Sequence, residues 1–240
     1  SVTKRGNQVV SCVALNIFAM GLTTVLGIAW FQRGGKTPQL PADARFLPIN
    51  LPFAAELRSV PLLGELYSEL ISGHNALVYL AFLTVPLTAW VIFKSRFGLR
   101  LRATGENPLA VDTAGISVNR IRYQALVING MIGGMSGAYL STAQVAFFVK
   151  DMSAGKGYLA LAAMIFGKWR PYPAMFACLL FAFAEALESR LQGVSIPGIG
   201  VVPVQIIQAL PYILTVVLLA GFVGKAVAPA AIGQPFVKEH

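Results

Sequence analysis

The sequence predicts an all-α, polytopic transmembrane protein, and three observations carry that reading. Of the 240 residues, 56% are hydrophobic and 12% are charged, against roughly a quarter charged in an ordinary soluble domain. Mean hydropathy is +0.67, so a soluble fold would leave more apolar surface than these few charges can keep in water. The apolar residues also gather into runs close to the ~20 needed to cross a ~30 Å hydrocarbon core. The same composition excludes a disordered chain and a coiled coil. A formal net charge of +9 would, on a soluble protein, point to nucleic acid. In a membrane protein it is explained by cationic cytoplasmic loops, so lipid is the expected neighbour and no nucleic acid is.

Measured on the membrane ruler, the chain gives about five full spans plus one short re-entrant or half-helix segment. Residues 9–31 form the first, broken only by neutral polar residues such as Asn16, Thr23 and Thr24. Residues 76–93 form the second, with Pro86 as a kink point. The third, 124–149, is glycine-rich; the fourth is 173–191; the last, 204–223, contains Pro211. Residues 158–166 are apolar but too short to cross alone. The chain opens on Ser1 without an initiator Met and without a small-residue cleavage site, which leads us to expect further residues upstream.

Cation placement sets the orientation. Lys94, Arg96, Arg100, Arg102, Arg120 and Arg122 fall between spans two and three, which makes 94–123 a cytoplasmic loop. Lys4, Arg5, Lys168, Arg170, Lys225 and Lys238 join them if the short segment returns the chain to the inner side, so that twelve of the 19 cations lie inside. The expected layout is one transmembrane domain over 1–240, with an outer loop at 32–75 and a cytoplasmic tail at 224–240. Five prolines and the apolar Leu62, Leu63, Leu66 and Tyr67 suggest that the outer loop folds over the membrane face.

The most informative stretch lies in the cytoplasmic loop, from Gly105 to Ile116. Asn107 suits an N-cap, Pro108 suits N1, where a missing N–H costs nothing, and Gly115 suits the left-handed position after the last turn. Two turns of separately capped helix follow. Such a helix is either a solvated connector or a rigid docking element that a soluble motor grips.

The blocks Gly105-Glu106-Asn107-Pro108 through Ala114-Gly115-Ile116, Met152-Ser153-Ala154-Gly155-Lys156-Gly157-Tyr158, Phe166-Gly167-Lys168-Trp169 and Ile232-Gly233-Gln234-Pro235-Phe236 resemble the permease subunits of bacterial ABC importers for simple sugars and nucleosides, of the ribose and branched-chain amino acid class. The resemblance implies that Gly105, Glu106, Asn107, Pro108, Ala110, Ala114, Gly115 and Ile116 belong to an ATPase-coupling segment. It also implies a bacterial inner-membrane location and ATP bound on a partner subunit, with no cofactor in this chain. The implied partners are the ABC ATPase, a second permease subunit, and an extracytoplasmic binding protein or lipoprotein that delivers a nucleoside or simple sugar.

Gly130, Gly133, Gly134 and Gly137 make two overlapping Gly-x-x-x-Gly pairs on the third span, a pattern that lets helix backbones approach closely in lipid. A phosphate loop is the competing idea, but Gly-x-Gly-x-x-Gly and Gly-Lys-Ser/Thr are both missing. Interrupted helices are where transporters bind substrate, and Ala154, Gly155, Gly157 and Tyr158 occupy one such interruption. The segment 195–200 is a second, read as an ordinary outer loop. Glu185 and Glu188 share a helix face near Arg190, which points to interfacial pairing rather than a proton relay. Tyr139, Phe147, Phe148, Tyr158 and Trp169 could stack on a ring, but equally serve as interface anchors. Cys12 and Cys178 have no metal-ligand spacing. With His74 in a loop and His240 at the terminus, no nucleophile–base arrangement falls within a span, so the chain is not expected to be an enzyme. An ion-coupled secondary carrier and an intramembrane enzyme are the alternatives to an importer subunit.

Overall fold

Capping residues and apolar run lengths set the helix boundaries. The computed structural model describes residues 2–4, 6–49, 72–191, 195–196, 200–201, 209, 213, 216 and 227–238. Among them are seven α-helices: α1 (Gln8–Phe31), α2 (Ala76–Lys94), α3 (Arg96–Glu106), α4 (Pro108–Thr113), α5 (Val118–Ala138), α6 (Lys156–Phe166) and α7 (Pro171–Leu191). Four two-residue strands pair antiparallel: β1 (Pro48–Ile49) with β2 (His74–Asn75), and β3 (Ser195–Ile196) with β4 (Gly200–Val201). The chain divides into two compact units, one comprising Ser1–Leu87, Val91–Ala154 and Ala230–His240, the other Thr88–Trp90 and Gly155–Pro229.

In the first unit, α1 starts where the Asn7 side chain accepts from the Val9 and Val10 amides at 2.9 and 3.2 Å. Its 24 residues span about 36 Å. The helix is apolar on every side, yet Gly27 is its one buried residue and Val9 and Trp30 are each 71% exposed. A helix that is apolar all round and uncovered is matched to lipid rather than to water. Both α1 and α2 are long and apolar enough to cross a membrane; α2 is capped by Asn75 and runs unbroken through Pro86. The helices α5 and α7 have 21 residues each, about 31 Å.

At the α2–α3 elbow one residue serves both helices. The Ser95 hydroxyl donates to Val91 O at 2.6 Å and accepts from the Gly98 amide at 3.0 Å. The turn is so tight that a Cβ on Gly98 would collide with the carbonyl oxygens of Val91 and Ile92. We therefore expect Gly98→Ala to lower the amount of folded protein in the membrane several-fold, because a backbone clash cannot relax by side-chain rotation. Quantitative blotting of membranes against wild type checks this, and equal accumulation would remove the steric argument.

The helix that holds the third expected span has bounds other than 124–149. It begins at Val118 rather than residue 124, capped by Ser117, and so takes in Arg120 and Arg122. After Ala138 it continues as a π-helical turn, Tyr139–Gln144, and stops. Residues 145–149 are not helical because their backbone is committed elsewhere. The Leu40 amide donates to Ala146 O at 2.8 Å, the Thr37 amide to Phe148 O at 3.0 Å, and the Lys150 amide to Gly35 O at 2.6 Å. Lys36 also lies over the Phe147 ring at 4.7 Å. Apolar composition alone cannot separate a span's last turn from an apolar non-helical segment that follows it. The consequence is topological: the ends of α1 and α5 lead into one paired segment, and β1–β2 closes the expected outer loop on itself. Residues 50–71, including the apolar patch and Pro61, lie outside the described residues.

The second unit contains an α6–α7 hairpin. Phe166 and Phe181 meet with ring centroids 5.7 Å apart, and Ala163, Phe181 and Ala184 are buried. Lys168 and Trp169 make the turn with φ of 51° and 60°. The 11-residue α6 matches the expected short segment, and in the segment expected as an outer loop Ser195–Ile196 pairs antiparallel with Gly200–Val201. The fifth expected span, 204–223, lies almost wholly outside the described residues; of it Ala209, Ile213 and Val216 are described, and they are helical.

Candidate functional site

The helix α4 is built by its ends. Asn107 Oδ1 accepts from the Ala110 amide at 3.1 Å, and Pro108 occupies N1. At the other end the Ile116 amide donates to Val111 O at 3.2 Å and the Gly115 amide to Asp112 O at 2.9 Å. With Gly115 at φ +77°, this is a Schellman motif, in which a left-handed residue lets two amides satisfy the last free carbonyls. The accompanying apolar contact is present as well, since Ile116 packs against the cluster containing Val111. The helix has the two-turn length those caps imply: Gly105 and Glu106 close α3, and the six residues Pro108–Thr113 are helical between the caps.

Six residues cannot hold a helix by propagation alone, so packing must position it. Val111 is the buried residue of α4. It joins Val118 and Ile121 from the first turn of α5, and Phe236 from the C-terminal segment, in one core cluster. Two hydrogen bonds dock that segment, Ala231 amide to Gly105 O at 2.9 Å and Arg122 to Gln234 O at 3.1 Å. The N-terminal segment reaches the same place, where Thr3 hydrogen-bonds Tyr123. Arg102 lies over Phe93 at 5.2 Å and ties α3 to the end of α2. On the outer face, Leu109, Ala110, Ala114 and Gly115 are exposed, and an apolar groove of about 440 Å³ runs between α3 and α4 along Leu99, Ala103, Ala110 and Ala114.

Two parts of this face are not legible as such in the sequence pattern, α3 and the docked C-terminal segment. The signal for α3 is Ser95 as an N-cap followed by arginines at helical spacing, which reads equally well as a cationic loop. Phe236 stands out in the sequence only as part of a resembling block. Its partners lie more than 100 residues away, beyond the reach of any local pattern.

Elsewhere the chosen residues are exposed. A Cβ added to Gly130, Gly133, Gly134 or Gly137 would meet nothing within 4 Å among the described residues. Ala154, at φ 44°, closes the first unit's loop. Gly155, at φ +79°, caps the N-terminus of α6, and Gly157 and Tyr158 lie exposed on the first turn, Tyr158 by 76%. Lys156 grips Glu185 of α7 through both carboxylate oxygens, at 2.8 and 3.0 Å. The ion pair shown for Glu185 is therefore with Lys156 across the hairpin, where the sequence suggests Arg190 on the same helix. Spacing along one helix reveals neighbours on that helix and is blind to a facing one.

Two apolar helices of membrane-crossing length, α1 and α2, and the short capped helices that follow α2 fit a helical membrane protein with a structured loop face. Residues 1–223 match the family described as branched-chain amino acid transport system / permease component. The chain is 37% identical over 238 residues to the nucleoside ABC transporter permease protein NupC of Lactococcus lactis, covering 99% of this chain and 71% of that one. It is 35% identical over 239 residues to the guanosine ABC transporter permease protein NupQ of Bacillus subtilis, with the same two coverages of 99% and 71%. It is 32% identical over 260 residues to the putative glucose ABC transporter permease protein TsgC13 of Haloferax volcanii, covering 99% and 75%. No solved structure matches the chain. The chain belongs to the branched-chain amino acid transport system permease family, and is a permease subunit of an ABC importer. In such a machine the permease is the non-enzymatic membrane component, and ATP is hydrolysed by a partner.

Proposed function

We propose that this permease imports nucleosides across the bacterial cytoplasmic membrane, receiving them from an extracytoplasmic binding protein and working beside a second permease subunit. The names of the Lactococcus and Bacillus relatives support the substrate class, and their identity extends over 99% of this chain. Five full spans and the α6 half-helix make up the membrane part. The N-terminal segment, the 94–123 region and the tail face the cytoplasm, where Gly105 to Pro108, Ala110 and Ala114 to Ile116 present the coupling element to the ATPase. Ala154, Gly155, Gly157 and Tyr158 shape the substrate path, and the four glycines of α5 pack against a neighbouring membrane helix.

One observation carries the coupling assignment: α4 is capped at both ends and buries Val111 while leaving Leu109, Ala110 and Ala114 exposed. A connector has no need of two caps and a private core cluster; a surface that must be pushed has. The test is uptake into proteoliposomes holding the permease pair and its ATPase, supplied with the binding protein and labelled guanosine. Uptake should require ATP and be displaced by other nucleosides but not by glucose. Ion-gradient-driven uptake without ATP would overturn the importer mechanism, and displacement by glucose alone would overturn the substrate class.

For the path, Gly157→Leu is the informative change. A side chain at Gly155 is strained by its positive φ whatever the path does, whereas Gly157 has open space around it. We expect Gly157→Leu to reduce guanosine uptake several-fold at unchanged membrane level. Normal uptake would remove this segment from the path.

A further inference from the structure

We infer that the segment 230–236 is a strap that holds the coupling helix α4 in register with α3 and α5, with Phe236 as its positioning residue. The inference rests on the coupling role proposed for α4 and adds a part that acts through it. Three contacts from one short stretch converge there. The Ala231 amide donates to Gly105 O, at the last turn of α3. Gln234 O accepts from Arg122, near the start of α5. Beyond these anchors Phe236, 9% exposed, enters the cluster of Val111, Val118 and Ile121. The segment thus bridges the helices before and after α4, and its ring shares one cluster with Val111, the buried residue of α4.

This arrangement does something that the caps do not. Caps fix where α4 begins and ends but leave its rotation about Asn107 and Gly115 unset. The rotation is set by what Val111 rests on, and Phe236 supplies the largest side chain of that cluster. Without the ring, α4 keeps its helical bonds and its exposed residues but loses a fixed direction relative to α3 and α5. A push on a loosely held helix reorients it instead of moving the spans. The expected defect is therefore one of coupling rather than of assembly: the ATPase still docks and turns over, while fewer substrate molecules cross per ATP.

The experiment compares Phe236→Ala, Phe236→Leu and wild type in the reconstituted importer, reading ATP hydrolysed per guanosine imported. Phe236→Ala should raise that ratio several-fold with maximal ATPase activity retained. Phe236→Leu, which refills most of the space, should restore it to within about twofold. Arg122→Gln, which loses one anchor, should fall between. If Phe236→Ala gives the wild-type ratio while Val111→Pro uncouples, the strap is overturned and the coupling helix stands. If Val111→Pro also leaves the ratio unchanged, the coupling reading itself has failed. Should Phe236→Ala not reach the membrane, the strap can be cut between its anchors by a protease site inserted at 232–233 and cleaved after reconstitution. A raised ratio on cleavage supports the strap, and an unchanged ratio overturns it.

Discussion

A Val111→Pro permease should reach the membrane and bind its ATPase, yet hydrolyse ATP with little import. The Val111 amide donates to Asn107 O at 3.4 Å inside a helix of six residues. Proline removes that donor and drives its ring toward the same carbonyl, a penalty of about 3 kcal/mol or more. A longer helix absorbs such an insult as a kink; α4 has too few turns to do so, because nucleation is already unfavourable at this length. The change also takes Val111 out of its cluster with Val118, Ile121 and Phe236. We expect ATP consumed per substrate imported to rise at least about tenfold, since a penalty of about 3 kcal/mol exceeds the roughly 1.4 kcal/mol of one decade. Val111→Ile keeps both the amide and the buried side chain and should stay close to wild type. Normal coupling in the proline variant would end the assignment of α4.

The second large effect is expected at the hairpin of the other unit. Lys156→Glu would place a carboxylate where an ammonium now contacts both oxygens of Glu185. Each partner is about two-fifths exposed in the chain alone, at 43% and 39%, and in water such a pair contributes little. In the proposed topology the pair lies at the membrane, where the alternative to pairing is a lone charge near hydrocarbon, which costs several times more. Uptake should fall on the order of tenfold in Lys156→Glu. The reversed pair, Lys156→Glu with Glu185→Lys, should recover most of it. Failure of the swap to rescue would show that Lys156 acts on something other than Glu185. If Glu185→Gln alone were to abolish uptake while Lys156→Gln did not, a proton-carrying role for the carboxylate would return.

What is legible in the sequence follows the range of each interaction. The caps of α4 can be read because Asn107 and Gly115 act on amides and carbonyls within five residues of themselves. The starts of α1 and α2 can be read for the same reason, through Asn7 and Asn75 and the unbroken apolar runs behind them. The end of the third helix is missed by composition because Val145 to Val149 is as apolar as a span, and only its hydrogen bonds with residues 35–40 show where the helix has stopped. The Lys156–Glu185 pair and the Phe236 contact are out of reach, since each joins residues from separate elements. The glycines of α5 are readable as a pattern, Gly130 to Gly137, and among the described residues nothing lies within 4 Å of a Cβ built on them.

The cluster that Phe236 shares with Val111 also bears on how the protein is made. The two residues are separated by 125 positions, and Ala231 docks onto Gly105 across a similar interval. At roughly 5–20 residues per second, a ribosome takes about 6–25 s to travel from the one to the other. During that time the loop face is exposed with its helices capped but its core cluster open. Nascent chains at this stage have their early helices made and the face around α4 incomplete. A premature stop just before residue 231 would therefore leave a protein that inserts like the full chain and presents the ATPase with an unfinished surface.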